Sequence, residues 1–298
     1  MPRGQCRLCR NDCDLQASHV VPAFVFRWVR ETSGLPYLRG SDAPNRRVQD
    51  GPTRYWLCSD CEQSLGKDEA VFASKLFRPL CERALDRYRY GEWLLRFCAS
   101  VSWRVLIAHS ESQGFEDCYD EKTADLLHGA EQSWRRFLLK EAPNPGAFRL
   151  HLVPFYSTFE WGSEWPPNMN RYTMRTIQID LCGGEHCVYT CVKLPRFMIF
   201  GHVMEADPSC WRGTKVNANG GIVMTSGFQL PMGLMGYIKA KAQGVIDAMS
   251  EISERQNLKI QAAITSNAAS IAGSDFFNAM NADLENFGVG AFISDIKG

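Results

Sequence analysis

The 298 residues, 45% hydrophobic and 22% charged, are enough for a sizeable core and fit two domains, or one domain with a small appended module. No run approaches the ~18–20 apolar residues of a membrane span, and the opening "MPRGQCRLC" lacks the apolar core of a secretory signal, so no membrane partner is expected. Twelve cysteines without such a signal point to metal ligation in a reducing, cytoplasmic setting rather than to disulfides.

Net charge is zero but unevenly spread. Residues 1–104 hold seventeen Lys and Arg against twelve Asp and Glu, and of those cations only Lys67 and Lys75 are lysine. Arginine suits bidentate contact with phosphate. On charge alone this is a solvated basic face; it gains weight because it coincides with the cysteine motif that opens the chain.

Cys6 and Cys9 have the two-residue gap that lets one tight turn offer two thiolates to one metal, and Cys58 and Cys61 in "WLCSDCEQSL" repeat it. Together they predict a closed, structural four-thiolate Zn²⁺ site. The 48 residues between the pairs must fold among themselves, at little extra loop-closure cost. Within that insertion, "PAFVFRWVRETSG" reads as a short helix, with Pro22 at its first position, Gly34 as its stop, and Phe24, Val25, Trp28 and Val29 as an apolar stripe. "GSDAPNRRVQDGPTR" reads as a polar loop carrying Arg46, Arg47 and Arg54. "DEAVFASKLF" is expected to be a second helix, ended by Pro79.

Residues 81–140 read as helical throughout, and "APNPG" at 142–146 as a linker. The period then shifts: "FRLHLVPFYSTF", "YTMRTIQIDLC", "HCVYTCVKL" and "RFMIFGHVM" read as strands, with "CGGEHC" as a hairpin turn. "MGYIKAKAQGVIDAMSEISERQ" returns to helix, and Ser274 is placed to cap "DFFNAMNADLENF" before Gly288. Cys182, His186, Cys187 and Cys191 match no common metal spacing and read as core residues, as Cys13 reads as a bystander. "VNANGGIV" lacks the lysine of a P-loop and reads as a turn. Trp161 and Trp165 read as a loop folded over the sheet rather than a stacking platform.

Four thiolates complete a tetrahedral site, so His19 in "SHVVP" is not needed as a zinc ligand. The bland reading is an imidazole bonded to a thiolate or a carbonyl. However, a CxxC pair, then xH-[IV]-[IV]-P, then a second CxxC followed by a polar residue resembles the zinc-stapled HNH, or ββα-metal, endonucleases over about residues 5–78. Cys6, Cys9, Ser18, His19, Val20, Val21, Pro22, Leu57, Cys58, Cys61 and Glu62 carry the likeness. The resemblance implies His19 as the general base that activates water, and Glu62 as a ligand of a catalytic Mg²⁺ or Mn²⁺. Two positions depart from the pattern. Ser18 stands where the family usually has Asp or His, and Thr53 falls near its middle Asn. Asp60, Asp68 and Glu69 are candidates for a second carboxylate. The chemistry is coherent: an imidazole titrating near ~6.5 can take a proton from water, a hard cation can stabilise the leaving oxygen, and Arg46, Arg47 and Arg54 can hold the nucleic-acid backbone.

The reading is therefore α+β: a treble-clef, ββα-metal module over residues 1–80, a helical segment over 81–145, and an α+β domain over 146–298 for regulation, recognition or oligomerisation, through a second copy or a partner protein. The expected function is metal-dependent hydrolysis of DNA phosphodiesters, by analogy in bacterial or phage defence. The alternative is a non-catalytic zinc-stapled nucleic-acid-binding or scaffold protein with a degenerate site.

Overall fold

The computed structural model describes residues 1–83, 85–184, 187–205 and 207–295. The chain begins with β1 (Arg3–Gln5) and β2 (Asp12–His19), then α1 (Ala23–Glu31), β3 (Leu38–Gly40) and β4 (Ala43–Val48). It continues through β5 (Thr53–Cys58), α2 (Ser59–Phe72), a π-helical turn (Ala73–Phe77) and α3 (Arg78–Glu82). Next come β6 (Arg87–Tyr90), α4 (Glu92–Ser110), α5 (Glu121–Leu138), β7 (Leu150–Pro154) and α6 (Met169–Arg175). Three strands follow, β8 (Gln178–Gly184), β9 (Cys187–Leu194) and β10 (Phe197–Glu205), then β11 (Gly221–Met224). Four helices close the chain: α7 (Met232–Ser250), α8 (Glu254–Ser266), α9 (Ala268–Ala272) and α10 (Asp275–Phe287). Among the described residues, no helix is long and apolar enough to cross a membrane.

The chain divides into two compact units, each drawn from several stretches of sequence. The first holds Met1–Pro22, Pro52–Tyr156 and Gln178–Leu230. The second holds Ala23–Gly51, Ser157–Ile177 and Pro231–Gly298.

In the first unit α4 is the central pillar. Thirteen of its residues, from Leu94 to Ile107, are buried, so it is apolar nearly all round. It packs on α2, on α5 and on the antiparallel sheet β7-β10-β9-β8. The sheet approaches so closely at Gly201 that a Cβ there would lie 2.8 Å from the Ser102 Cβ and 2.6 Å from the Thr190 hydroxyl. Phe72 of α2 stacks on Phe97 of α4 with centroids 3.8 Å apart. Asp120 caps α5, its carboxylate accepting the Thr123 N–H at 2.7 Å, and the helix then buries Leu127, Ala130, Trp134, Phe137 and Leu138 on one face. A second sheet, β1-β2-β5, runs antiparallel and leads directly into α2.

The second unit is organised around the buried Arg175. Its guanidinium donates to Thr32 Oγ1 at 2.8 Å, to Asp275 at 2.9 Å and to the Val29 carbonyl at 2.7 Å, joining α6, α1 and α10. Asp283, fully buried on α10, accepts the N–H groups of Asn170 and Arg171 at the start of α6 and pairs with the Arg171 side chain at 2.8 Å.

Most sequence expectations hold locally. α1 and its stop at Gly34 (φ +72°) are as expected, and so is Ser274, whose hydroxyl accepts the Phe277 N–H at 3.1 Å. Five expectations are corrected. The stretch 40–54, read as a polar loop, holds β4, paired with β3, and the start of β5. The helix expected from Asp68 begins at Ser59, and the helical run continues past Pro79. The π turn shifts the hydrogen-bond register just before Pro79, and the chain stays helical through a residue with no N–H to donate. Residues 87–90 form a strand within the stretch read as helical, burying Tyr88 and Tyr90 and exposing Arg87 and Arg89 while pairing with β11. "YTMR" is the end of helix α6, not strand. The long C-terminal helix breaks between Ser250 and Glu254. The turn expected within "CGGEHC" centres on Glu185 and His186, which lie outside the described residues.

Candidate metal and catalytic site

The first cysteine pair lies in a turn closed by the Cys6 N–H donating to the Asn11 carbonyl and the Arg10 N–H to the Cys6 carbonyl, both at 2.8 Å. Arg10 takes the left-handed conformation (φ +66°) that lets the chain reverse into β2. The second pair spans the end of β5 and the first turn of α2. Their four sulfurs lie within 4.8 Å of one another, the one such group of possible metal ligands among the described residues. Tetrahedral zinc with bonds of about 2.3 Å sets sulfurs about 3.8 Å apart. Cys9 and Cys58 are at 3.9 Å.

The electrostatics fit a cation. Burial raises the Cys6 thiol, but N–H groups of Cys9, Cys58 and Leu8 outweigh it and bring it down to about 7. Cys61 is pushed up, by burial first and then by Cys58, Cys6 and Cys9. Four sulfurs this close ionise together only around a metal, and these residues suit Zn²⁺. Cys13 is outside the group; its thiol donates to the Asn11 carbonyl at 3.4 Å.

The knuckle is braced by the helices behind it. Arg7 pairs with Glu111 at 2.6 Å, and the Trp56 indole N–H donates to the same carboxylate at 3.0 Å. Arg135 of α5 donates to the Leu8 carbonyl at 3.2 Å.

This frame fixes the positions singled out in the sequence. In the antiparallel pairing of β2 with β5, His19 is opposite Thr53 and Ser18 is opposite Arg54. Glu62 lies in the first turn of α2, directly after the cysteine turn. The Ser18 side chain, fully buried, donates its hydroxyl to Glu62 Oε2 at 2.6 Å. The residue before the histidine and the residue after the last cysteine are therefore in contact, although they are far apart in sequence.

The other carboxylates have different partners. Asp68 pairs with Arg96 at 2.9 Å and Glu69 with the buried Arg104 at 2.7 Å, both tying α2 to α4, while Asp60 is exposed. Arg54 is exposed on β5, and its guanidinium donates to the Thr53 carbonyl at 3.0 Å. Arg46 and Arg47 belong to the second unit, exposed on β4. Sequence reasoning missed the Ser18–Glu62 contact and the arginines that hold Asp68 and Glu69. No local spacing signals such pairs.

Cys182 is opposite Tyr189 in the sheet, hence on the same face as Cys187 and Cys191. They form no metal group among the described residues, and His186 lies outside those residues. Trp161 and Trp165 pack at 5.0 Å in the second unit, with the Trp161 N–H on Asn170 Oδ1 at 3.3 Å. Compared with known proteins, the chain matches no family model, no curated protein and no solved structure.

Proposed function

We propose that the first unit is a zinc-stapled nuclease of the HNH, ββα-metal type, hydrolysing DNA phosphodiester bonds. One observation carries the reading: Ser18, next to His19 on β2, is hydrogen-bonded to Glu62, which the last cysteine turn presents on α2. Two antiparallel strands, a helix and a four-cysteine staple thus gather an imidazole-bearing strand end and a carboxylate, the parts this chemistry needs.

On this reading His19 takes the proton of the attacking water as its oxygen bonds to phosphorus and the bond to the leaving oxygen breaks. A hard cation, Mg²⁺ or Mn²⁺, supplies charge neutralisation at that leaving oxygen. Glu62 would hold it, with Ser18 bonded to one of its carboxylate oxygens. Arg54, exposed on β5, and Arg46 and Arg47, exposed on β4, would supply the cations for the phosphate backbone. The second unit is read as a recognition or regulatory element.

The Ser18–Glu62 hydrogen bond also favours a second reading, in which Ser18 has replaced a ligand and the module binds nucleic acid without cutting it. Calorimetric titration of the zinc-loaded protein with Mn²⁺ separates the two. The nuclease reading expects one added site, lost in Glu62→Gln with zinc content and melting temperature held. An absence of Mn²⁺ binding in the wild type supports the binding module.

A further inference from the structure

The hairpin β3–β4 of the second unit carries a charge arrangement that its own fold does not explain. Arg39 and Arg47 are register partners across the two strands, so like charges stand directly opposite one another. Such a pair destabilises a sheet, and a hairpin with a three-residue strand has little stability to spare. Both guanidinium groups lie over the ring of Tyr37, Arg47 at 4.1 Å from its centroid and Arg39 at 5.8 Å. The aromatic face offsets part of the cost.

Among the described residues no carboxylate pairs with either arginine. Burial lowers the pKa of Arg39, the Arg47 charge lowers it further, and Tyr37 alone acts in the opposite direction. Asp42, the one acidic residue in the hairpin, forms no ion pair among the described residues. The Arg39 fork is fixed in plane by bonds to the Pro44 carbonyl at 2.6 Å and to Gln256 Oε1 at 3.0 Å. Its Nε and the Tyr37 hydroxyl are both enclosed, and neither has a hydrogen-bond partner among the described residues.

We propose that Arg39, Arg47 and Tyr37 form an anion clamp that takes a phosphate of the nucleic-acid backbone. This rests on the DNA reading above and extends it to two residues, Arg39 and Tyr37, not singled out by sequence. The exposed Arg47 guanidinium can offer two N–H groups to phosphate oxygens, the Tyr37 face and the held Arg39 charge fix its position, and the bound anion relieves the Arg39–Arg47 repulsion. Arg46, exposed beside them, adds to the attraction.

The test measures binding of a labelled DNA duplex by fluorescence anisotropy over a salt series, with every protein carrying His19→Ala so that cleavage does not interfere. Added Arg39→Gln or Arg47→Gln is expected to weaken binding roughly fivefold or more and to reduce the salt slope by about 0.9 for each phosphate no longer neutralised. If Arg39→Gln lowers the melting temperature, Arg47→Gln, on an exposed side chain, decides alone. Duplex binding with unchanged affinity and slope in Arg47→Gln overturns the clamp while leaving the DNA reading in place. Equal competition by polyglutamate, removed by the same substitutions, overturns the phosphate assignment. If the parent binds no duplex, the DNA reading fails, and inorganic tripolyphosphate decides. A melting temperature raised in the parent and not in the double variant keeps an anion clamp, and no rise in either overturns it.

Discussion

At the scale of single residues, the Ser18 hydroxyl contributes direction. A carboxylate in the first turn of a helix is favoured there by the helix dipole whether or not it binds a metal. A buried hydroxyl 2.6 Å from one of its oxygens fixes which oxygen is available. If Glu62 holds a cation, Ser18→Ala should weaken Mn²⁺ affinity roughly tenfold, as loss of an outer hydrogen bond does at metal sites, with zinc content unchanged. Equal Mn²⁺ titrations for the variant and wild type would show the contact to be structural only. The residues of this site were legible in sequence because their signals are local: the paired CxxC spacings, SHVVP, and a Glu directly after the last cysteine. The contact between Ser18 and Glu62 was not, because it depends on how β2 meets α2 across an inserted helix and hairpin. Asp68 and Glu69 show the same limit, since their arginines lie on α4.

At the scale of elements, the knuckle and α4 hold the site in place. Cys58 ends β5 and stands at the N-terminus of α2, so it joins the strand opposite His19 to the helix bearing Glu62. Structural zinc is coupled to folding, and Cys58→Ser should reduce bound zinc well below one equivalent and leave β1, β2, β5 and the start of α2 open to proteolysis. Metal analysis and limited digestion check this; a variant with full zinc and wild-type digestion would contradict it. Against α4, the close approach at Gly201 leaves no room for a methyl group, so Gly201→Ala should cost about 1–3 kcal/mol, read from denaturant unfolding. Elements with strong periodicity were legible, α1, α5, β9 and β10 among them. β6 was not: its alternation covers only "RYRY", and its partner β11 lies some 130 residues further on. The helix through Pro79 was missed because the π turn that accommodates the proline leaves no mark in composition.

At the scale of the whole molecule, the chain leaves the first unit and returns to it twice, an interleaving set by tertiary packing that no composition shift announces. The first unit also carries a pH dependence away from the candidate site. His151 and His202 stack at 4.4 Å beneath Trp211. Burial holds His151 down to about 3, helped by His202, Lys215 and Arg149, and holds His202 down to about 4, helped by Arg149. Both folded values lie below the unfolded one, so as pH falls below ~6.5 the unfolded chain binds protons that the folded one refuses. Stability should fall from there toward pH 3, by on the order of 2 kcal/mol per histidine at pH 5. Denaturant unfolding at pH 7.5 and pH 5 measures this, and His202→Phe should roughly halve the difference. The central claim, a metal-dependent nuclease centre on the zinc-stapled frame, is tested most directly by incubating supercoiled plasmid with Mg²⁺ or Mn²⁺ and purified wild type or His19→Ala. The account predicts nicking by the wild type that requires the divalent ion and falls ~10²- to 10⁴-fold in the variant, with DNA binding retained. Cleavage at equal rates by the two proteins, or none by the wild type with its zinc in place, would contradict it.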